Sequence, residues 1–290
     1  DSCDTVDGCH TNTIQILLTC SPPIGISASG VTTTNATFTW EPGGTETGWE
    51  VLVLEANMPP PTSTTSGIEI QDNPEYNTTA LQSANEYSFY VRANCGSEFS
   101  PWNKYNFFSA CDAINSFVQN FETTEYPDLP TCWTSIIGGE GVSENAYIQT
   151  IGYNGTNDSH SVEIYRSESG ADANVILVSP SLGNLSLGTH RLKFSSYSYD
   201  PAEFEIGTLD GTTADATFTS YEGISIETQN NEYVIDFTGY TGTDNYIGLR
   251  MISGYSVFLD DIRWELAPLC PDVSGIAFSN TTPNSKRTPG

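Results

Sequence analysis

Short runs of Val, Ile, Phe, Tyr and Trp, interrupted every few residues by Thr, Ser, Asn, Gly or Pro, fill the chain and leave little on which a helix could build. No window of ten or more residues keeps apolar positions at i, i+3, i+4 and i+7, the spacing that gives a helix a buried face. Segments such as Ala36-Thr37-Phe38-Thr39-Trp40 alternate instead, and alternate side chains of a strand point to opposite faces. Strand formers separated by turn formers predict an all-β protein. At 290 residues the chain is long enough for two domains, each with its own core.

Charge narrows the partners. With 36 acidic against 9 basic residues the net charge is -27, a field that repels nucleic acid and anionic lipid headgroups. The acidity has two readings: a solvated surface, or carboxylates gathered as oxygen ligands for Ca²⁺. The seven cysteines form no CxxC pair and have no histidines at ligand spacing, which argues against zinc and for disulfides in an oxidising, extracellular compartment. Sequons at Asn35, Asn77, Asn154, Asn157, Asn184 and Asn280 agree with secretion, although in a bacterial protein they would be chance matches. No leader and no apolar run near twenty residues is recognisable, so the sequence reads as a mature or excised segment without membrane insertion.

Residues 21–110 read as seven short strands at near-regular spacing, the pattern of a β-sandwich. Trp40 closes an early alternating strand, Leu81 precedes Tyr87 by six residues, and Tyr87-Ser88-Phe89-Tyr90-Val91-Arg92-Ala93 follows. These features together resemble a fibronectin type III domain.

Residues 111–268 carry longer strands and larger loops. Phe117-Val118-Gln119-Asn120-Phe121-Glu122 opens this half, and Cys132-Trp133, Leu177-Val178-Ser179-Pro180 and Leu259-Asp260-Asp261-Ile262 follow in that order. Eight or more strands without helix predict a jelly roll. The order of these motifs resembles the MAM-like cleaved-adhesin or choice-of-anchor-J jelly rolls. That resemblance implies a setting in large Bacteroidetes surface proteins exported by type IX secretion, often beside fibronectin type III modules. It also implies a structural Ca²⁺ where first and last strands meet, held by Glu122, by Asp260 or Asp261, and by Asn157 or Asp158 from a loop. The competing account neutralises these carboxylates with Arg191, Arg250 or Arg263 through charge-assisted hydrogen bonds.

Leu18-Thr19-Cys20-Ser21-Pro22 and Leu269-Cys270-Pro271-Asp272 repeat one another. Residues 1–20 therefore read as the tail of a preceding module and 269–290 as the start of a following fibronectin-like one, a segment of a repeat array. In this scheme Cys3 pairs with Cys9, Cys20 with Cys95 on the sixth strand, and Cys111 with Cys132, leaving Cys270 for a partner beyond the segment. Asp1, Asp4 and Asp7 lack EF-hand spacing, and Asp4-Thr5-Val6 matches the three-residue pattern of Bacteroidetes O-glycosylation at Thr5.

No GxSxG, HExxH, SxxK or phosphate loop is present. Of His10, His160 and His190, none neighbours a nucleophile in a recognisable elbow, and His190 at a strand start is expected to be exposed. Trp102, Tyr105, Tyr197, Tyr199, Tyr240 and Tyr255 are the rings that could stack on sugars from loops or strand ends, core packing being the other account of them. The expected function is a non-enzymatic adhesin or structural segment at a cell surface or in an extracellular filament. Its partners would be other modules of the same protein, surface glycans or neighbouring subunits. The alternative is a carbohydrate-binding module of a secreted glycan-degrading protein.

Overall fold

The computed structural model describes residues 20–167, 169–170 and 172–268, without the side chain of Asp158. Cys3, Cys9, Thr5, His10, Cys270 and the flanking repeat lie outside the described residues. The chain divides into two compact units between Asp112 and Ala113.

The first unit contains β1 (Ile24–Ser29), β2 (Ala36–Glu41), β3 (Gly48–Glu55), β4 (Ile68–Gln71), β5 (Glu75–Thr78), β6 (Glu86–Ala93) and β7 (Asn103–Phe108). One sheet runs β1-β2-β5 and the other β4-β3-β6-β7, all antiparallel. The alternation in β2 buries Ala36, Phe38 and Trp40. Phe38 stacks on Phe89 of β6 with ring centroids 4.1 Å apart, and Trp40 meets Trp49 edge to face. Leu81 and Tyr87 are both buried, and the Gln82 amide donates to the Tyr87 hydroxyl at 2.8 Å. That bond fixes the corner expected from their spacing. Cys20 and Cys95 are joined by a disulfide with a Cα separation of 5.9 Å, closing most of the unit into one loop. Cys95 lies just past the sixth strand rather than on it. Cys111 and Cys132 are both disulfide-bonded as well.

The second unit is a jelly-roll sandwich of β8 (Phe117–Gln119), β9 (Thr134–Gly139), β10 (Tyr147–Ile151), β11 (Ser161–Tyr165), β12 (Ala173–Val178), β13 (His190–Ser198), β14 (Ala202–Leu209), β15 (Phe218–Ile226), β16 (Asn231–Asp236), β17 (Tyr246–Met251) and β18 (Ser256–Leu266). Helix is confined to two three-residue 3₁₀ turns among the described residues. One sheet runs β10-β11-β18-β13-β16 with β8 also on β18, and the other runs β15-β14-β17-β12-β9. Val162, Ile164, Leu192, Phe194, Val257 and Leu259 of the first sheet share a core with Val175, Leu177, Phe204, Ile206, Ile247 and Leu249 of the second. Each fully buried aliphatic or phenyl side chain contributes roughly 1.5–3 kcal/mol. The first strand is shorter than its sequence motif. Phe121 sits at φ 60°, its amide donating to the Gln119 side chain at 2.7 Å, so the chain leaves the sheet before Glu122.

Candidate functional site

Leaving the sheet at Phe121 sends Glu122 to a tight loop at residues 155–160. Gly155 makes that loop possible: a Cβ there would lie 2.2 Å from the His160 carbonyl oxygen. The Gly155 amide donates to the Ser159 carbonyl at 2.8 Å, and Asn157 adopts φ 60°. Two carboxylates converge on the loop. Glu122 accepts from the His160 amide at 3.0 Å and faces His160 Nδ1 at 3.1 Å. Asp260, on the outward face of β18 and 4% exposed, accepts from the Thr156 amide at 2.7 Å and the Ser159 hydroxyl at 3.2 Å. Its other oxygen accepts from the Asp261 amide at 2.6 Å.

The electrostatics of the two acids differ. Burial is the largest influence on Asp260 and pushes its pKa up, against the pull of these hydrogen bonds, with the neighbouring Asp261 charge adding to the rise. For Glu122 burial is again the largest single influence and acts upward. The bonds from His160 and Ser159 together outweigh it and hold the carboxyl below its ordinary value.

Of the three arginines expected as competitors, two pair with other acids and one reaches Asp261. Arg191 pairs with Glu265 at 2.8 Å and Arg250 with Glu205. Arg263 reaches Asp261 at 3.7 Å, and Asp261 itself is turned out of regular strand geometry at φ 50°. Asp260, not Asp261, is therefore the member of the pair that meets the loop. The arginine account therefore meets Asp261 alone, while the donors to Asp260 and Glu122 come from the loop and, for Asp260, also from the Asp261 amide. The Thr156 hydroxyl is buried without a hydrogen-bond partner beside them, an oxygen free to face a cation. Among the described residues no three His, Cys, Asp or Glu side chains gather as a metal-holding group. Two carboxylates and loop oxygens are what the site offers.

The expectation for His190 is overturned: it is buried and stacked on Trp264 at 5.2 Å. Asn184 explains why. It accepts from Trp264 Nε1 at 2.9 Å and bridges Asn115 and the His190 ring, so the strand start is covered by a loop. The buried Asn184 also cannot present its sequon. Among the candidate rings, Tyr105 packs against the first core and Tyr240 against the second, as core packing predicts. Trp102 is half-buried over the Arg92 guanidinium at 4.4 Å. Tyr199 and Tyr255 are exposed, and Tyr197 packs on Phe258. The rings that line a cleft beside β10, Tyr126, Tyr147 and Tyr153, were missed. The period of two in Tyr147-Ile148-Gln149 was the available signal.

No helix among the described residues is long and apolar enough to cross a membrane. No curated protein matches the chain. Solved structures similar to it include the K1 cleaved adhesin domain of Lys-gingipain from Porphyromonas gingivalis W83, 14% identical with a TM-score of 0.40, covering 53% of this chain and 100% of that one. The CBM22-1 xylan-binding domain of Paenibacillus barcinonensis Xyn10C is 11% identical with a TM-score of 0.37, covering 54% and 97% respectively. The human collagen alpha-1(XX) fn3 domain is 18% identical with a TM-score of 0.29, covering 33% and 90%. Residues 21–106 match the family model described as the Fibronectin type III domain.

Proposed function

We propose that the chain is a non-enzymatic stretch of a modular extracellular protein, an adhesin or structural segment whose sandwiches space and present contact faces. The observation that carries this reading is a disulfide-closed fibronectin type III module in tandem with a jelly roll. The described histidines act as structural groups, His190 inside the core and His160 clasped to Glu122. A carbohydrate-binding module is the second reading, favoured by the exposed tyrosines on the outer face of the β10-β11-β18-β13 sheet. A Bacteroidetes surface location with type IX secretion belongs to the same proposal, as do a repeat array running through residues 1–20 and 269–290 and O-glycosylation at Thr5.

Ca²⁺ is proposed as a structural ion of the jelly roll. Glu122 and Asp260 would hold it with oxygens of the Thr156–Asp158 loop, Asn157 and Asp158 included. A divalent cation there would offset the buried Asp260 charge and tie the loop to β18. Beads coated with the chain should adhere to cell surfaces or to immobilised glycans without hydrolysing the glycan. Release of reducing sugar by the purified chain, abolished by Glu122→Gln, would overturn the non-enzymatic reading.

A further inference from the structure

We infer that the outer face of the β10-β11-β18-β13 sheet carries a binding site for neutral oligosaccharides, centred on a cleft between Tyr126, Tyr147, Gln149, Tyr153 and Glu163. The inference rests on reading the chain as an extracellular binding module.

Register builds this face. Residues opposite one another in antiparallel strands share a face. Gln149 is opposite Glu163, Glu163 opposite Phe258, and Phe258 opposite Tyr197. A neighbouring row sets Tyr147 opposite Tyr165 and Tyr165 opposite Ser256. The residues between them, Ile148, Ile164 and Val257, go to the core. A strip of rings and polar groups therefore crosses four strands, longer than a single sugar. At its β10 end lies a cleft of about 450 Å³, within the range of roughly 300–1,000 Å³ typical of small-ligand sites.

The walls are tyrosines that the fold leaves open. Tyr126 is 68% and Tyr153 56% exposed. A tyrosine couples an apolar ring face to a polar tip, the complement of a pyranose with its C–H face and hydroxyl rim. At the floor is a carboxylate that the fold buries without a cation. Glu163 is 8% exposed and accepts from the Tyr147 hydroxyl at 3.0 Å and from the Ser256 hydroxyl. Among the described residues no lysine or arginine pairs with it. Burial and the Glu163 charge push the Tyr147 pKa well up, so that hydroxyl stays a donor. A carboxylate has about four acceptor sites and these bonds use two of them. Vicinal sugar hydroxyls supply two donors for the rest.

Chemistry separates the neutral sugar from its rivals. Glu163 and the net charge of -27 repel uronates and sulfated glycans. A cationic ligand offers donors only and would leave the Gln149 amide N–H groups unmatched, whereas a sugar hydroxyl both donates and accepts.

The test uses the full chain and calorimetric titration with hexasaccharides of β-1,4-linked glucose, mannose and xylose, with hexagalacturonate and spermidine as contrasts. At least one neutral hexasaccharide should bind and hexagalacturonate should not. Replacing Tyr126 and Tyr153 together by alanine should weaken binding about tenfold or more with an unchanged thermal midpoint. Glu163→Gln should narrow the preference for neutral over acidic hexasaccharide, a ratio that does not depend on how much of the variant folds. Binding that survives the double alanine variant would overturn the site while leaving the carbohydrate reading standing. Spermidine bound in place of sugar would overturn the ligand class. No binding of any probe would overturn the inference, while adhesion of coated beads decides the broader reading separately.

Discussion

In the first sandwich the buried carboxylate of Glu50 is met by a full positive charge. Arg92 donates to it through Nε at 2.9 Å and through Nη2, donates also to the Ser63 and Thr65 carbonyls, and packs over the rings of Phe99 and Trp102. In the jelly roll the buried carboxylates of Asp260 and Glu163 are answered, among the described residues, only by amides and hydroxyls. The pair with arginine is closed: its charge is matched and four of the five guanidinium N–H groups are bonded. The carboxylates held by neutral donors keep a charge that a cation or further hydroxyls can still engage. Both lie on the outward face of one sheet, Asp260 facing the loop that carries the proposed ion and Glu163 facing the tyrosine cleft.

The contrast breaks most visibly at Arg92. Arg92→Ala leaves Glu50 as an uncompensated buried charge and should cost the first sandwich about 3–5 kcal/mol in denaturant unfolding. Replacing both partners together, Glu50→Gln with Arg92→Met, should recover much of that. A loss below about 1 kcal/mol, the value of an exposed ion pair, would erase the distinction drawn here.

A smaller effect is expected where the donor is neutral. Tyr147→Phe removes one of two hydroxyls serving Glu163 and should lower jelly-roll stability by about 1.5–3 kcal/mol, as for a hydrogen bond to a charged group. An unchanged midpoint would mean that water replaces the hydroxyl and that Glu163 is less isolated than its burial indicates.

The smallest effect is a pH dependence at His190. Burial holds its pKa below the ordinary 6.5, and Asn184 approaches Nε2 at 2.9 Å as a donor to the neutral ring. Stability from this group is complete above the unfolded value. It falls as pH drops below about 6.5, where the unfolded chain takes a proton and the folded chain does not, and the fall ends at the folded pKa. His190→Gln should flatten this part of the stability profile, measured by thermal unfolding between pH 7 and pH 5, roughly the range over which histidine titrates.

Much of the fold was legible because a sandwich writes its period into each strand. Ala36, Phe38 and Trp40 gave β2, and Leu81 with Tyr87 gave the corner. Thr134–Gly139 and Phe218–Ile226 were not legible. The first ends in glycines, and the second is mostly exposed, so neither carries an apolar alternation strong enough to stand out from its turns. The candidate site was half legible. Glu122 and Asp260 could be named from the motifs at the two ends of the domain. The choice of Asp260 over Asp261 depends on a φ of 50° at Asp261, which no residue pattern announces. His190 was misread because its cover, Asn184 and Trp264, comes from a loop and a distant strand.

The claim that the jelly roll's buried carboxylates are sites for ligands is tested most directly with Ca²⁺. Chelator-treated chain should bind the ion in calorimetric titration. Its thermal midpoint should rise with Ca²⁺ and fall with EGTA, by an amount reaching roughly 2.7 kcal/mol at one hundred times the dissociation constant. Asp260→Asn should abolish both responses, while Glu50→Gln with Arg92→Met should leave them unchanged. No heat of binding, together with a midpoint indifferent to EGTA, would contradict the account and leave Glu122 and Asp260 as internal supports of the 155–160 loop.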